Sequence, residues 1–213
     1  MVFIILCGAF TAVLSMKLIQ NGYNPKIQVL IYPALQLFDF MLPSYRQPFC
    51  QIAIVKMSDV ISSYLNTTVS DNDLLSNNHT TPEVKRSLAK YVPYDYIPAK
   101  YRQGINPLEP VYGDAEIYLR VKLIFSPDIS PLLVEDKVLK LMPITYILSV
   151  GHDRFRDEAF IYEKRLEVNG VQVTHHHYEH SFHGALQMLN GVASLNIANE
   201  MMEQITDFLL KMA

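Results

Sequence analysis

Two short apolar runs, separated by a helix-like segment, constrain the fold of this chain more than any other feature. The runs are residues 2–6 and 27–32, both rich in isoleucine and valine, and Pro33 ends the second. Apolar runs of this length without polar alternation are typical of strands buried on both faces. The intervening segment carries helix-favouring residues up to a stop at Asn21 and Gly22. A strand, a helix and a second strand form a βαβ unit, which predicts a parallel sheet.

Residues 1–16 allow a second interpretation, as a secretory signal. They are apolar and contain small residues that resemble a cleavage site. However, the first cation is Lys17, so the positively charged segment of a signal peptide is missing. The apolar stretch is also shorter than the ~20 residues that span a bilayer. The strand and helix are therefore the favoured interpretation, with a signal as the alternative.

Regular patterns return in the second half of the chain. Residues 145–150 predict a buried strand, 154–167 an amphipathic helix and 171–178 a further strand. Residues 197–212 predict a terminal helix, whose methionine-rich stripe belongs to the core. The predicted fold class is therefore α/β, with about four mainly parallel strands and flanking helices.

Residues 42–112 differ in character from the segments on either side. Proline and tyrosine recur there, and short helical patterns are separated by polar turns. This composition predicts a helical cap inserted into a single domain of residues 1–213. The region also contains N-glycosylation acceptor patterns at Asn66 and Asn78, which are short enough to arise by chance.

Charge and cysteine content limit the partners of the chain. It has 18 Lys and Arg against 21 Asp and Glu, a net charge of -3, so no basic excess attracts nucleic acid or an anionic membrane. No glycine-rich phosphate-binding motif occurs, and we predict no cofactor. The two cysteines, Cys7 and Cys50, are too few for a disulfide framework or a four-thiolate zinc site and leave at most one bridge.

A histidine-rich tract suggests a metal site, but its spacing argues against one. The tract is formed by His175, His176, His177, His180 and His183. On a strand, His175 and His177 project to one face and His176 to the other, so the three adjacent rings do not converge on one ion. No carboxylate with metal-ligand spacing accompanies them. We predict no metal.

Titratable residues follow two of the predicted strands directly. Asp153 comes after the strand at 145–150, and His183 comes after the strand at 171–178. Functional groups collect beyond the carboxyl ends of the strands in an open parallel sheet. An aspartate in one such loop and a histidine about thirty residues later have the order of the acid and base in a Ser–Asp–His triad. The alternative is that both are loop side chains that merely face water.

Four stretches of the chain resemble the carboxyl-terminal half to two-thirds of arylacetamide deacetylase-like proteins, in the hormone-sensitive-lipase branch of the α/β-hydrolases. They read QVLIYPALQLFDFMLPSY, SPLLVEDKVL, LMPITYILSVGHDRFRDEAFIYEKRL and NGVQVTHHHYEHSFHGAL. The D-x-x-R-D motif with Y-x-x-R-L, followed by F-H-G, is the specific part. The resemblance implies that Asp153 is the catalytic acid, that His183 is the base, and that Arg156 and Asp157 form a structural pair.

The chain departs from that family at the nucleophile. The family carries a G-D-S-x-G-G elbow between a strand and a helix, whereas this chain reads ILCGAFTAVLSMKLI, with Cys7 and Gly8 at the start of the elbow and the serine missing. Cys7 and Ser15 are the nearest substitutes, and we interpret both as packing residues. The family's H-G-G-G oxyanion loop is expected upstream of residue 1. The family's E-D-G-F-H reads E-H-S-F-H here, with His180 and Ser181 as the replacements.

The resemblance implies a carboxylic-ester hydrolase that acts on apolar esters or arylacetamides. Without the elbow serine we expect no turnover, and a non-catalytic binding or interaction module is the alternative. The family faces the lumen of the endoplasmic reticulum from a membrane anchor, which is expected upstream of residue 1, and the two sequons agree with that glycoprotein setting. Residues 2–6 would then be a central strand left as an open edge, through which we expect self-association.

Overall fold

A parallel sheet of four strands, in the order β1-β2-β3-β4, forms the centre of the described chain. The computed structural model describes residues 4–5, 8–50, 56–103 and 113–212, without the side chains of Ile4, Ile5 and Phe49. The strands are β1 (Ile4–Ile5), β2 (Ile27–Ile31), β3 (Ile144–His152) and β4 (Val173–Phe182). All three pairings are parallel, which confirms the predicted fold class.

Helices connect and flank these strands. The α-helices are α1 (Gly8–Gln20), α2 (Pro43–Arg46), α3 (Met57–Leu65), α4 (Asp71–Leu75), α5 (Pro82–Leu88), α6 (Ala99–Arg102), α7 (Ala115–Val121), α8 (Asp136–Leu139), α9 (Arg156–Val168) and α10 (Asn196–Met212). Short 3-10 turns are Pro48–Cys50, Ala89–Tyr91, Tyr94–Tyr96, Lys122–Phe125, Pro131–Leu133 and Ala185–Gln187. Among these elements, no helix combines the length and apolar character needed to cross a bilayer.

The sheet is covered on both faces, which explains the continuous apolar runs of β2 and β3. Leu30 and Ile147 point to the face covered by α1 and α9, in a cluster with Tyr162. Their neighbours Val29 and Leu148 point to the opposite face, which α10 covers. Successive strand residues therefore supply two separate cores, as the alternation of side chains along a strand requires.

The described parts of 42–112 are largely helical, as predicted. Their buried side chains, including Ile61, Leu74 and Ile97, join the same core cluster as Leu30 of β2. Helical turns also continue past residue 112, through α7 to α8. The assignment of 42–112 as a cap within one domain remains a prediction.

The predicted ends of β3 and β4 were wrong. β4 continues to Phe182, four residues beyond residue 178, so Glu179 lies in the strand and not in a loop. β3 likewise runs through Gly151 and His152. The cause is the close approach of the two strands, since a Cβ on Gly151 would lie 1.8 Å from the carbonyl oxygen of Glu179. Glycine allows pairing to continue past the irregular register between Val150 and His152.

Two helices lie close to their predicted positions. α9 begins at Arg156 and not at 154, because the Asp153 carboxylate accepts a hydrogen bond from the Phe155 amide and forms a turn before the helix. α10 matches the predicted 197–212 within one residue, and its Met201 and Ile205 are buried as the core stripe predicted. Of the run at 2–6, only Ile4–Ile5 lies within the described residues.

Candidate active site

The predicted acid and base lie together at the carboxyl end of the sheet. Asp153 directly follows β3, and His183 directly follows β4. Oδ2 of Asp153 lies 2.9 Å from Nδ1 of His183, while Oδ1 of Asp153 accepts a hydrogen bond from the Phe155 amide. The Asp153 side chain is 2% exposed and that of His183 is 39% exposed. The carboxylate is thus fixed and enclosed, while the imidazole reaches solvent.

This geometry fixes the tautomer of His183. An ionised carboxylate only accepts hydrogen bonds, so Nδ1 of His183 carries the hydrogen that Asp153 receives. Nε2 then keeps its lone pair, and among the described residues it has no hydrogen-bond partner. A neutral imidazole in this tautomer, with one nitrogen held by a carboxylate and the other open, is the arrangement of a general base.

Two aromatic rings hold the imidazole of His183 in place. The ring of Tyr32 lies 5.1 Å from it and the ring of Phe155 lies 5.7 Å from it, measured between centroids. The Tyr32 hydroxyl also accepts a hydrogen bond from the Leu186 amide and lies 3.2 Å from Sδ of Met201. Tyr32 therefore connects the end of β2 to the turn that carries the base.

Tyr32 adopts an uncommon backbone conformation at this point. Its φ is 47°, in the left-handed region that bulky residues rarely occupy. Such residues are concentrated at functional sites, where the surrounding structure holds them. Burial raises the pKa of Tyr32 to about 12, so its hydroxyl stays neutral. Sequence reasoning placed Tyr32 in a strand and missed its contact with His183.

Arg156 and Asp157 form the structural pair that the resemblance implied. Nε of Arg156 lies 2.9 Å from Oδ1 of Asp157, and both side chains are buried. The Arg156 guanidinium also donates to the Gly151 carbonyl and lies over the ring of Tyr101, 3.8 Å from its centroid. Oδ2 of Asp157 accepts a hydrogen bond from the Ser44 amide. The pair thus joins the start of α9 to β3 and to α2.

Glu158, the next residue, was missed by the sequence analysis. Its carboxylate is fully buried and accepts hydrogen bonds from the amides of Leu35 and Gln36, the Gln36 side chain and the Tyr45 hydroxyl. Burial raises the pKa of Glu158 to about 8, against the lowering effect of these donors. The residue anchors the segment after β2. Only its position beside Asp157 in the motif could have suggested a role.

The proposed substitutes for the missing nucleophile are not both within the described residues. Ser15 is buried in α1, which agrees with its interpretation as a packing residue. Cys7 lies outside the described residues. α1 begins at Gly8, where a Cβ would lie 2.5 Å from Cβ of Pro33. The start of α1 therefore packs directly against the segment that follows β2.

The remaining sequence candidates are the cysteines and the histidine-rich tract. Cys50 is a buried free thiol, so it forms no bridge. Within the described ranges, no group of three or more His, Cys, Asp or Glu side chains could hold a metal ion. His175 and His177 do share one face of β4, while His176 packs against Tyr146 on the other.

A cavity of about 390 Å³ opens beside the paired strand ends. Neither Asp153 nor His183 lines it. Its walls are formed by Gln47, Pro48, Tyr101, Gly151, His152, Arg156 and Glu179. It therefore adjoins the strand that carries the acid while remaining separate from the base.

Comparison with known proteins agrees with this geometry. A family model described as alpha/beta hydrolase fold matches residues 105–187, a range that contains Asp153 and His183. The chain is also 35% identical, over 199 residues, to arylacetamide deacetylase from Bos taurus, which covers 91% of this chain and 50% of that protein. The chain belongs to the α/β-hydrolase family. The resemblance to arylacetamide deacetylase-like proteins is thereby confirmed.

Two further relatives of this α/β-hydrolase chain extend the comparison. Arylacetamide deacetylase-like 3 from Mus musculus is 35% identical over 216 residues, covering 96% of this chain and 52% of that protein. Neutral cholesterol ester hydrolase 1 from Rattus norvegicus is 35% identical over 168 residues, covering 76% of this chain and 41% of that protein. The chain spans about half the length of the relatives it matches.

Solved structures support the fold of this chain. A fungal esterase from Rhizomucor miehei matches with a TM-score of 0.58 at 20% identity, covering 96% of this chain and 47% of the esterase. A thermostable esterase from Pseudomonas putida matches with a TM-score of 0.55 at 19% identity, covering 92% of this chain and 46% of the esterase. At these identities the likeness concerns the fold alone.

Proposed function

We propose that this chain contains the acid and base of a carboxylic-ester hydrolase site, but no serine to be acylated. The observation that supports the acid and base is the hydrogen bond of 2.9 Å between Asp153 Oδ2 and His183 Nδ1, with Nε2 directed away from the carboxylate. The observation that supports the missing nucleophile is the sequence of the β1–α1 connection. Residues 1–14 contain no serine, and Ser15 is buried inside α1.

The pair would act in the usual order of acid–base catalysis. Nε2 of His183 accepts the proton of an attacking hydroxyl as its oxygen bonds to the ester carbonyl carbon. The resulting imidazolium is stabilised by the carboxylate of Asp153. His183 then donates the proton to the leaving alcohol as the carbonyl–oxygen bond breaks, and the neutral imidazole returns. Each role follows from Nδ1 being fixed and Nε2 being accessible.

Without an activated serine, the pair lacks the group that normally forms the acyl-enzyme. Removal of one triad member typically leaves a rate only ~10³ to 10⁴ times the uncatalysed rate, and substrate binding and oxyanion stabilisation supply that remainder. We therefore propose that the chain binds esters weakly or not at all and does not turn them over at a measurable rate. A non-catalytic binding or interaction module of the same fold is the alternative.

The substrate class follows from the names of the relatives. Those names give an arylacetamide and a cholesterol ester as the compounds on which those proteins act. We extend this to small apolar esters for the present chain. By the same resemblance we propose the lumenal side of the endoplasmic reticulum membrane as its location. Asn66, which is exposed at the end of α3, supports that setting as an accessible sequon.

Hydrolysis of p-nitrophenyl butyrate by the purified chain tests the proposal. We expect a rate equal to that of buffer for the wild type and for His183→Ala, with both proteins folded by circular dichroism. A wild-type rate above buffer that disappears in His183→Ala would show that a nucleophile does serve this pair. Arg154→Gln, beside the pair but outside its hydrogen bond, is the matched control in that case.

A further inference from the structure

A second set of polar side chains crosses the sheet on the face covered by α9. Five hydrogen-bond links join six residues in order. The links run from Glu163 Oε2 to His175 Nδ1 at 2.7 Å, His175 Nε2 to Ser149 Oγ at 2.7 Å, Ser149 Oγ to His177 Nδ1 at 2.7 Å, His177 Nε2 to Tyr101 OH at 2.7 Å, and Tyr101 OH to Glu179 Oε2 at 2.5 Å. We call these six residues the β4 network. It contains no residue of the Asp153–His183 pair.

The centre of the β4 network is shielded from water. The side chain of His175 is 3% exposed and that of His177 is 14% exposed, while Ser149 is fully buried. The ring of Phe160 covers both imidazoles, with its centroid 5.0 Å from each. Solvent therefore does not supply the hydrogens of the central links. They come from the side chains that form those links, while Lys100 supplies further hydrogens at the Glu179 end, to Glu179 and Tyr101.

The number of links exceeds the number of hydrogens that neutral side chains provide. A neutral imidazole has one N–H, and a serine or tyrosine has one O–H. His175, Ser149, His177 and Tyr101 therefore contribute four hydrogens. The carboxylates of Glu163 and Glu179, at the two ends, contribute none because they only accept. Four hydrogens cannot satisfy five links, so one additional proton is needed.

The position of the missing hydrogen follows from the Glu179 end. Tyr101 and Glu179 are separated by 2.5 Å, the spacing of an O–H donor on a carboxylate. Although burial opposes it, the hydrogen bonds from Lys100 and Tyr101 lower the pKa of Glu179 to about 2, so Glu179 is ionised. The Tyr101 hydrogen is thereby committed to Glu179.

The remaining donors then follow one after another. Since Tyr101 donates to Glu179, it can only accept from His177, whose hydrogen must be on Nε2. Nδ1 of His177 then accepts from Ser149, and the Ser149 oxygen accepts from Nε2 of His175. A neutral His175 would therefore present a bare lone pair to the Glu163 carboxylate at 2.7 Å. That contact is repulsive.

We infer that His175 is an imidazolium at neutral pH and is a buried proton-binding site of this chain, held between the Glu163 carboxylate and the Ser149 hydroxyl. The proton resides on His175 and not on Glu163 because imidazole is the stronger base in water. It does not reside on His177, because burial and the neighbouring His175 lower the pKa of His177 to about 4. With this one proton, all five links are formed.

The surrounding charges agree with this assignment. The titratable and charged groups that face the two imidazoles are Glu163 and Arg156 of α9, Lys100 and Tyr101 of α6, and His176 and Glu179 of β4, with Lys211 of α10 behind His176. Arg156 pairs with Asp157, and Lys100 pairs with Glu179. Among the described residues, the ion-pair partner of Glu163 is His175. A charged His175 completes the third pair.

The proton has a structural consequence for the contact between α9 and β4. Without it, the donor assignment leaves the link between Glu163 and His175 without a hydrogen, while the links from Tyr101 of α6 to His177 and Glu179 keep theirs. Loss of the proton therefore removes the link that joins Glu163 of α9 to His175 of β4.

Nitrogen-15 NMR of the histidine rings at pH 7 tests the inference, because it separates imidazolium from each neutral tautomer. In the wild type we expect hydrogens on both nitrogens of His175 and on Nε2 alone of His177. Glu163→Gln replaces an acceptor with an amide that donates to Nδ1, so His175 should become neutral with its hydrogen on Nε2. His180→Gln, which changes an exposed histidine of the same strand, should leave both rings unchanged.

Ser149→Ala gives an independent second arm. Without the Ser149 hydroxyl, the Glu163–His175 link remains, and a neutral His175 supplies its hydrogen. The His177–Tyr101 and Tyr101–Glu179 links also remain, and His177 and Tyr101 supply one hydrogen each. Every remaining link then has a hydrogen. His175 should then be neutral with its hydrogen on Nδ1, the opposite tautomer from that in Glu163→Gln. A neutral His175 in the wild type at pH 7 would overturn the inference. So would an imidazolium that persists in whichever of the two variants is folded by thermal melting.

Discussion

Two of the histidine–carboxylate pairs among the described residues differ in what the second ring nitrogen faces. Asp153 and His183 lie at the strand ends, where Nε2 of the ring is directed toward solvent. Glu163 and His175 lie beside the middle of β4, where Nε2 of the ring is bonded to buried Ser149. The same two chemical groups thus form an accessible base at His183 and a buried imidazolium at His175. Accessibility, and not the pairing itself, separates a candidate catalytic site from a structural one.

Acid should have the largest effect on the stability of the folded chain, because it acts through the buried imidazoles. Burial lowers the pKa of His177 and of His79 to about 4, from 6.5 in the unfolded chain. Between pH 6.5 and 4 the unfolded state binds more protons, so stability falls as the pH falls. We expect a loss of about 3 kcal/mol for each of the two groups across that window. Urea denaturation at several pH values measures it.

His177→Gln and His79→Gln form the matched pair for this prediction. Each should remove about half of the acid-dependent loss, because each removes one of the two imidazoles whose pKa burial lowers. An equal slope in wild type and His177→Gln would mean that His177 is not protected from protonation in the folded state.

Gly151→Ala should disrupt the strand segment that separates the two pairs. The new Cβ would lie 1.8 Å from the carbonyl oxygen of Glu179, so β3 and β4 must move apart at the point between Ser149 and Asp153. We expect a loss of about 3 kcal/mol, as for severe overpacking. Thermal or urea melting measures it.

Gly170→Ala is the control for the cost of a glycine replacement. Gly170 has a φ of 83°, but among the described residues, its chain neighbours aside, no atom lies within 4 Å of the position that a Cβ would take. Backbone strain alone should therefore cost about 1 kcal/mol. Similar losses for the two variants would contradict the close strand approach at Gly151.

Removal of each histidine should show the difference in burial directly. His175→Ala leaves Glu163 and Ser149 without their shared partner in a closed site, and we expect a loss of about 2 kcal/mol. His183→Ala opens the site to water, which can replace the ring beside Asp153, and we expect about 1 kcal/mol. Urea midpoints at pH 7 give both values. A larger loss for His183→Ala would reverse the comparison.

Asp153→Asn should change the chemistry of the exposed pair with the smallest effect on stability. The side-chain amide can still accept from the Phe155 amide, so we expect a loss of less than about 1 kcal/mol. The amide nitrogen, however, would donate to Nδ1 of His183, which moves the ring hydrogen to Nε2. Nitrogen-15 NMR should report that exchange. An unchanged tautomer would mean that Asp153 does not fix the ring.

Apolar strands and the strand-end residues could be predicted because local patterns determine them. β2 and β3 are buried on both faces, so their sequences are continuously apolar. Asp153 and His183 follow from topology, since parallel strands bring their carboxyl ends to one edge of the sheet. The pattern of α10 similarly marks its buried face. These features depend on residues near one another in sequence.

Features that depend on distant partners could not be predicted in the same way. The end of β4 is polar and histidine-rich, and its pairing with β3 depends on the absence of a side chain at Gly151. Glu158 is satisfied by donors more than a hundred residues away. Alternation along β4 correctly placed His175 and His177 on one face, but not the Ser149 hydroxyl between them. Tertiary contacts, which have no local signature, supply these interactions.

The central claim, an acid and base without a serine nucleophile, is tested most directly by a fluorophosphonate probe. The probe reacts covalently with an activated hydroxyl, and mass spectrometry of the digested chain identifies any labelled residue. We expect no labelling of the folded wild type, at the same level as His183→Ala. Labelling of one residue that is lost in His183→Ala would contradict the claim and identify the nucleophile that the Asp153–His183 pair serves.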